Sequence, residues 1–495
     1  MTLAKKVALN TIVQAISKVI STALGLITVA LITRYLGPSG FGEYTTIITF
    51  ISFFAVIADL GLTLVTVQLI SLPSEASAKE GLPALPTGQA GDEAGLPANN
   101  QDKILSNLFS LRLLSAIFFL GLAPAIIWLL PYSQGIKIGV LIATASFLFP
   151  ALNQILVGLF QKELRLDRVS IAEIASRILL FAGVFTVARF DFGLYGLLYS
   201  LILSSAINFI LLWFFSKKYA KIRLNFDKIL WLEIIKKTWP IGLTIFLNLI
   251  YLRADTLILS LVRNSSEVGI YGASYRVIDV LITLPFIFAG IVLPILTAGW
   301  QTNRDNFNNV LQKSFDLMIL LALPLVVGTQ FIGSRIMTIV AGKEFALSGE
   351  ILKILILAAG IIFVGTVFSH AVIAIDRQKK IITAYVFVAI TALIGYLIFI
   401  PRYSFYGAAW VTIYSELAIA LAAYLLVRRI TGFRPKLSVA GKALLSSLAM
   451  ALALSILSGL NLLLLIIIAA LIYFTCLYFL KGVTREQILE LISKG

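Results

Sequence analysis

Apolar stretches of membrane-spanning length recur along almost the whole of this 495-residue chain, and they dictate what it can fold into. A hydrocarbon layer ~30 Å thick is crossed by roughly 20 helical residues. In lipid, backbone N–H and C=O groups must be satisfied within the protein, so only helices or closed barrels can span. The runs are continuous rather than alternating, which selects helices. The pattern predicts an all-α, polytopic membrane protein of about fourteen transmembrane helices. They fall near 8–33, 44–71, 105–130, 138–160, 170–188, 194–215, 238–262, 270–299, 314–334, 347–375, 381–399, 406–427, 443–458 and 463–480. With 59% hydrophobic and 13% charged residues, a soluble chain of this length could not cover its core.

The formal charge of +16 would suggest nucleic acid in a soluble protein. Here it reports topology. Loops on the N-terminal side of the membrane hold 27 of the 40 Lys and Arg residues, the opposite loops 7, and the spans 6. That is the positive-inside pattern, and it predicts both termini in the cytoplasm. No nucleic-acid partner is needed. The single cysteine, Cys476, excludes an intrachain disulfide. Lys5 and Lys6 precede an apolar stretch too long for a signal peptide and without a small-residue cleavage site, so it reads as a retained first helix.

Segment 72–104 is rich in Pro, Gly, Ala and acidic residues and repeats Gly-Leu-Pro-Ala at Gly81 and Gly95. It is expected to be a disordered cytoplasmic insertion without a function of its own. Segment 216–237 carries seven basic residues, with Trp231 and Trp239 nearby. It reads as an amphipathic linker along the membrane surface, drawn to anionic lipid. The parts it joins look like repeats. Ser39-Gly-Phe-Gly-Glu-Tyr44 and Ser266-Glu-Val-Gly-Ile-Tyr271 share Ser-x-(Phe/Val)-Gly-x-Tyr, and each opens an even-numbered helix on the outer face. Tyr195-Gly196 and Tyr406-Gly407 again occupy matching places. The expected organisation is an N-terminal lobe 1–215, the linker 216–237, a C-terminal lobe 238–427, and two extra helices with a tail in 428–495. Parallel repeats of this kind suit alternating access.

Charges inside spans are expensive and should face a partner or a wet cavity. The basic ones are Lys18, Arg112, Arg177, Arg253, Arg276 and Lys353; the acidic ones include Asp59, Glu173, Asp255, Asp279 and Glu416. Spacing predicts a Glu173–Arg177 pair and allows an Arg276–Asp279 pair. Lys353 lies close enough to the outer interface to snorkel. Lys18, Arg112, Arg253 and Asp59 lack a partner at helical spacing. A central cavity lined by Arg276, Arg253, Lys18 and Arg112 would select an anion, phosphate being the obvious handle. Asp255, Asp59, Asp279 and Glu416 would then serve charge pairing or a proton or sodium coupling site. Lone His370 cannot make a metal site and reads as packed or interfacial. Pro240, Pro285, Pro294 and Pro324 supply bending points.

Arg34-Tyr-Leu-Gly-Pro-Ser-Gly-Phe-Gly-Glu-Tyr44, Arg253-Ala-Asp-Thr-Leu-Ile-Leu-Ser260 and Val268-Gly-Ile-Tyr-Gly-Ala-Ser-Tyr275 resemble segments of polysaccharide-biosynthesis (Wzx-type) flippases. These belong to the multidrug/oligosaccharidyl-lipid/polysaccharide exporter superfamily. The resemblance spans the chain apart from 72–104. It implies two six-helix lobes plus two C-terminal helices, and alternating access. It also implies an undecaprenyl-diphosphate-linked oligosaccharide as substrate in the bacterial cytoplasmic membrane. Other polysaccharide-assembly proteins would be partners. Relatives that flip the peptidoglycan precursor use basic residues on early helices and on the eighth, where Lys18 and Arg276 stand. A drug exporter would want an acidic, apolar cavity. A membrane glycosyltransferase or polymerase would want large outer loops, whereas these run to roughly ten residues. There is no metal-ligand cluster, nucleotide loop or nucleophile–base pair. The expectation is a transporter without cofactor, not an enzyme.

Overall fold

A computed structural model describes residues 3–70 and 101–482. Most of the insertion, 71–100, lies outside the described residues. The described residues form thirteen α-helices and one short 3-10 turn: α1 Leu3–Asp59, α2 Leu62–Ile70, α3 Gln101–Leu129, α4 Gln134–Lys162, α5 Leu166–Phe190, α6 Gly193–Ser216, α7 Lys228–Val262, α8 Ser265–Thr302, α9 Arg304–Val340, α10 Ala346–Ala374, α11 Gln378–Thr431, α12 Ser438–Ile456 and α13 Leu462–Phe479. The described residues hold no strand. Among the described residues, eleven helical segments are long and apolar enough to cross a membrane. Two of them are helix pairs, broken inside α1 at Gly37 and inside α11 at Ser404. With the 35-residue α7, the architecture matches the expected fourteen spans.

The breaks have local causes. Gly37 sits at φ 64° and ψ −179°, backbone an L side chain rarely adopts, and Pro38 then starts the next helix with its fixed φ. The second half of α1 ends at Asp59 because Leu60 and Gly61 both take positive φ. The expected span 44–71 is therefore helix, turn and helix. Helices α8 and α9 keep helical backbone through Pro285, Pro294 and Pro324.

By its contacts the chain forms two units, one of residues 1–36 and 43–249, the other of 37–42 and 250–495. In the first unit, α2, α3 and α4 share a core around Leu62, Leu105, Leu108, Ile155 and Leu159, closed by Leu230 and Ile234 of α7. In the second, α10 is central and packs on α8, α9 and α11. Lipid is as apolar as leucine, so such helices associate through close packing rather than hydrophobic exclusion. At Gly349 of α10, an added Cβ would lie 2.2 Å from Ser334 Cα of α9. The two C-terminal helices stack on α9 through Met450, Leu454, Leu465 and Tyr473, with Tyr473 donating to the Leu320 carbonyl at 2.8 Å.

Segment 216–237 divides into an extended strap and the start of a helix. Residues 228–237 are the first turns of α7, and the segment before them is strapped along α3. The N–H groups of Lys221, Arg223 and Asn225 donate to Asp102 Oδ1 (3.2 Å), Ser106 Oγ (3.0 Å) and Ser110 Oγ (2.9 Å). Alternate residues of an extended chain advance ~6.6 Å and one i,i+4 step on a helix ~6 Å, so the two rows stay in register. Asn107 Oδ1 takes the N–H of Asp227 (2.9 Å) and Trp231 Nε1 (3.1 Å), and Lys103 pairs with Asp227 at 3.0 Å.

The repeated motifs meet in the second unit, to which 37–42 belongs. Gly42 and Gly269, equivalent positions of the two Ser-x-(Phe/Val)-Gly-x-Tyr copies, cross backbone to backbone. A Cβ on Gly269 would lie 1.9 Å from the Pro38 carbonyl oxygen, and one on Gly42 1.6 Å from that of Ser265. Phe41, fully buried, meets Phe345 edge to face beside this crossing.

Candidate functional site

The in-span charges resolve into two groups with different roles. In the first unit, Arg112 of α3 was expected among the cavity cations, and the structure places it in the interior instead, 3% exposed. Its guanidinium pairs with Asp59 at 2.6 Å, and donates to the carbonyls of Ala58 (3.2 Å) and Ala151 (3.0 Å). The last carbonyls of a helix have no partner within it. Here the Ala58 carbonyl, in the last turn of α1, takes Arg112 and Ser115 Oγ (2.9 Å). Thr63 Oγ1 donates to the other partner, Asp59. A cation at a helix C-terminus also opposes the macrodipole. Arg112 and Asp59 are thus spent on each other and on closing the α1 end.

The second group surrounds Asp255 of α7, which is 0% exposed. Its carboxylate accepts from Tyr271 Oη (2.6 Å), Tyr275 Oη (2.7 Å), the Thr256 N–H (2.5 Å) and Thr256 Oγ1 (3.1 Å). Two phenols one helical turn apart on α8 present both hydroxyls to one carboxylate, as i,i+4 spacing allows. Thr412 Oγ1 on the second half of α11 lies 3.3 Å from Tyr275 Oη and 3.2 Å from Tyr396 Oη. Every buried polar group in this cluster therefore has a partner, as a low-dielectric interior requires.

Arg253, two residues before Asp255, is half-buried at the edge of the cluster. It pairs with Asp279 of α8 at 2.6 Å and lies 5.0 Å over the Tyr275 ring. The i,i+3 pair allowed between Arg276 and Asp279 is not formed; Asp279 turns to Arg253. Arg276, half-buried one turn away, has no carboxylate within 4 Å among the described residues. Of the two guanidinium groups on this stretch of α7 and α8, only that of Arg253 has a carboxylate partner among the described residues. Tyr275 links Arg253 to Asp255, with the ring under the guanidinium and the hydroxyl on the buried oxygen.

The other charged residues fall elsewhere. Lys18 is exposed on the first half of α1, in the first unit. Glu416 of α11 is 8% exposed and its Oε1 is without a hydrogen bond. The expected Glu173–Arg177 pair is absent among the described residues; Arg177 points outward, exposed. Lys353 does not snorkel freely but pairs with Glu350 at 2.7 Å. His370 Nδ1 meets the Thr366 carbonyl at 2.9 Å, one turn back on its own helix. No cluster of His, Cys, Asp or Glu able to hold a metal occurs among the described residues. Sequence spacing missed Tyr271, Tyr275 and Thr412. The signal was present as Tyr-x-x-x-Tyr following the second motif copy.

With this many long apolar helices, the protein is a polytopic membrane protein. Residues 7–300 match the family model for polysaccharide biosynthesis proteins, and the chain belongs to that family. It is 22% identical over 335 residues to the capsular polysaccharide biosynthesis protein CapF of Staphylococcus aureus, covering 66% of this chain and 83% of CapF. Among solved structures it resembles the lipid II flippase MurJ in an inward closed conformation. That likeness has a TM-score of 0.75 at 18% identity, over 93% of this chain and 97% of MurJ. It also resembles an inward-facing multidrug-resistance MATE transporter, with a TM-score of 0.66 at 13% identity, over 83% and 94%. At such identities these likenesses establish a common fold.

Proposed function

We propose that the chain is a flippase carrying a polyprenyl-diphosphate-linked oligosaccharide from the cytoplasmic to the outer leaflet of a bacterial cytoplasmic membrane. The observation that carries the reading is Arg276, a guanidinium inside a spanning helix with no counter-charge of its own. An intramembrane cation is tolerated where it serves a pathway or a ligand. Arginine meets phosphate oxygens bidentately, so a diphosphate would supply the missing charge. The family match supports a glycan cargo.

In this mechanism the diphosphate reaches Arg276 and draws Arg253 from Asp279, while the polyprenyl tail stays in lipid. Motion of Arg253 over Tyr275 changes the hold of that phenol on Asp255, so occupation by anion is felt at the buried carboxylate. Asp255 and Glu416 are the groups proposed to take a coupling proton or sodium ion. No bond is made or broken. A drug exporter shares the fold, but an uncompensated guanidinium repels cationic drugs. The loop asymmetry supports a topology with both termini in the cytoplasm.

A mass-spectrometric survey of polyprenyl-linked glycans in cells lacking the protein tests the reading. Accumulation of one lipid-linked oligosaccharide is expected, reversed by the wild-type gene and not by Arg276→Ala. An unchanged glycan-lipid pool with the glycan pathway active and no redundant flippase would overturn it.

A further inference from the structure

The strapped segment ahead of α7 presents a surface that has no part in the transport step proposed above. Its edge N–H groups are consumed by α3, which fixes the backbone and leaves the side chains to define what it meets. Ala220 and Ile222 turn inward onto the α3 core. Lys217, Lys218, Lys221, Arg223 and Lys228 are all exposed. Of the nearby acids, Asp227 is neutralised by Lys103 and Asp102 is bonded to the strap backbone; only Glu233 is exposed.

Among these bases stand exposed apolar side chains, Leu224 (58%), Phe226 (59%), Ile229 (74%) and Leu232 (59%). Their depth follows from α3. Asn107, which holds Asp227 and Trp231, and Ser110, which holds Asn225, lie within the first two turns of the expected span 105–130, so the end of the strap and the start of α7 stand at the boundary between headgroups and acyl chains. Exposed Phe, Ile and Leu beside five exposed cations at that level suit neither bulk water nor acyl chains; they suit the interface.

We propose that residues 217–232 form a preordered docking surface for anionic phospholipid, with Phe226 and Ile229 in the acyl boundary and the bases on headgroup phosphates. Charge complementarity selects the anionic lipid: each base near a negatively charged leaflet is worth about fivefold in binding. The α3 ladder has already ordered the backbone, so lipid binding is not weakened by having to order it. The surface belongs to the first unit and the Arg253–Asp255 cluster to the second.

The test titrates full-length protein in neutral detergent with dioleoyl-phosphatidylglycerol or dioleoyl-phosphatidylcholine and counts bound lipids by native mass spectrometry. Wild type is expected to bind phosphatidylglycerol at least tenfold tighter than phosphatidylcholine. The K217Q/K218Q/K221Q/R223Q variant should lose that preference. Equal preference in variant and wild type overturns the proposal. Removing these bases could disturb insertion, so a second measurement keeps the chain otherwise intact. Benzoylphenylalanine in place of Phe226 is irradiated in native membranes. An adduct of anionic phospholipid mass supports the proposal; a protein adduct, a neutral-lipid adduct only, or no adduct overturns it.

Discussion

Replacing Arg112 by methionine separates two roles that a buried arginine in a membrane protein can have. The guanidinium pairs with Asp59 at 2.6 Å and closes the last turn of α1 through the Ala58 carbonyl. Both partners are well buried, with side-chain exposures of 4% and 13%. Removing one member of such a pair leaves the other charged and unpaired, which costs about 3–5 kcal/mol. For a unit of 150–250 residues each kcal/mol moves the midpoint by about 2–4 °C, so Arg112→Met should lower it by about 6–20 °C. The assay is thermal unfolding in detergent, followed by size-exclusion fluorescence. The pairing itself is read from a double-mutant cycle. Asp59→Leu with Arg112→Met removes both charges, and the double variant should be more stable than Arg112→Met alone. A midpoint within 2 °C of wild type, with transport lost, would refute the reasoning and return Arg112 to the substrate path (threshold of the order set by one weak contact).

Three further outcomes follow from the structure. Gly269→Ala drives a Cβ to 1.9 Å from the Pro38 carbonyl and should cost about 1–3 kcal/mol, seen as a lowered melting midpoint, whereas Gly290→Ala meets nothing within 4 Å and should be near neutral. The Asp227 carboxyl lies outside the spans and is held below its usual range, first by the Lys103 ammonium that hydrogen-bonds to it. A depressed carboxyl stabilises above its unfolded pKa, and that contribution is lost as pH falls through the lowered folded value. Amide protection of 221–227 should therefore hold from pH 7 to 5 and decline below 3.8, by hydrogen exchange corrected for intrinsic rate. Ser106→Ala with Ser110→Ala frees the N–H groups of Arg223 and Asn225 and should raise exchange there while leaving 104–112 protected.

The spans were legible because their signal is local: a run of apolar residues of fixed length needs no knowledge of neighbours. The breaks at Gly37 and at Leu60–Gly61 were half-visible, as a Gly-Pro pair and a Leu-Gly step between two apolar runs. Charge partners were not legible, since helical spacing finds only i,i+3 and i,i+4 neighbours. Arg112 found Asp59 from another helix, Arg253 took Asp279 from α8, and Glu173 and Arg177, correctly spaced, stayed apart. The extended form of the strap was not legible, because its basic and aromatic residues mark a surface stretch without saying what its backbone bonds to. The polar row Asp102, Ser106 and Ser110 on α3 that holds it is periodic, but it takes meaning only from the segment laid across it. The two Ser-x-(Phe/Val)-Gly-x-Tyr copies did carry their message. Their shared glycine is the point at which the two motifs touch.

The central claim is that this chain moves an anionic glycan lipid by means of the Arg276 and Arg253 guanidinium groups. Its direct measurement uses purified protein in liposomes with a polyprenyl-diphosphate oligosaccharide in the inner leaflet. The fraction that becomes accessible to an added, membrane-impermeant glycosidase is followed over time. Wild-type protein should expose the lipid far faster than protein-free vesicles, and Arg276→Ala should slow it at least tenfold at equal incorporation. Exposure no faster than in empty vesicles, or equal in wild type and Arg276→Ala, would contradict the account.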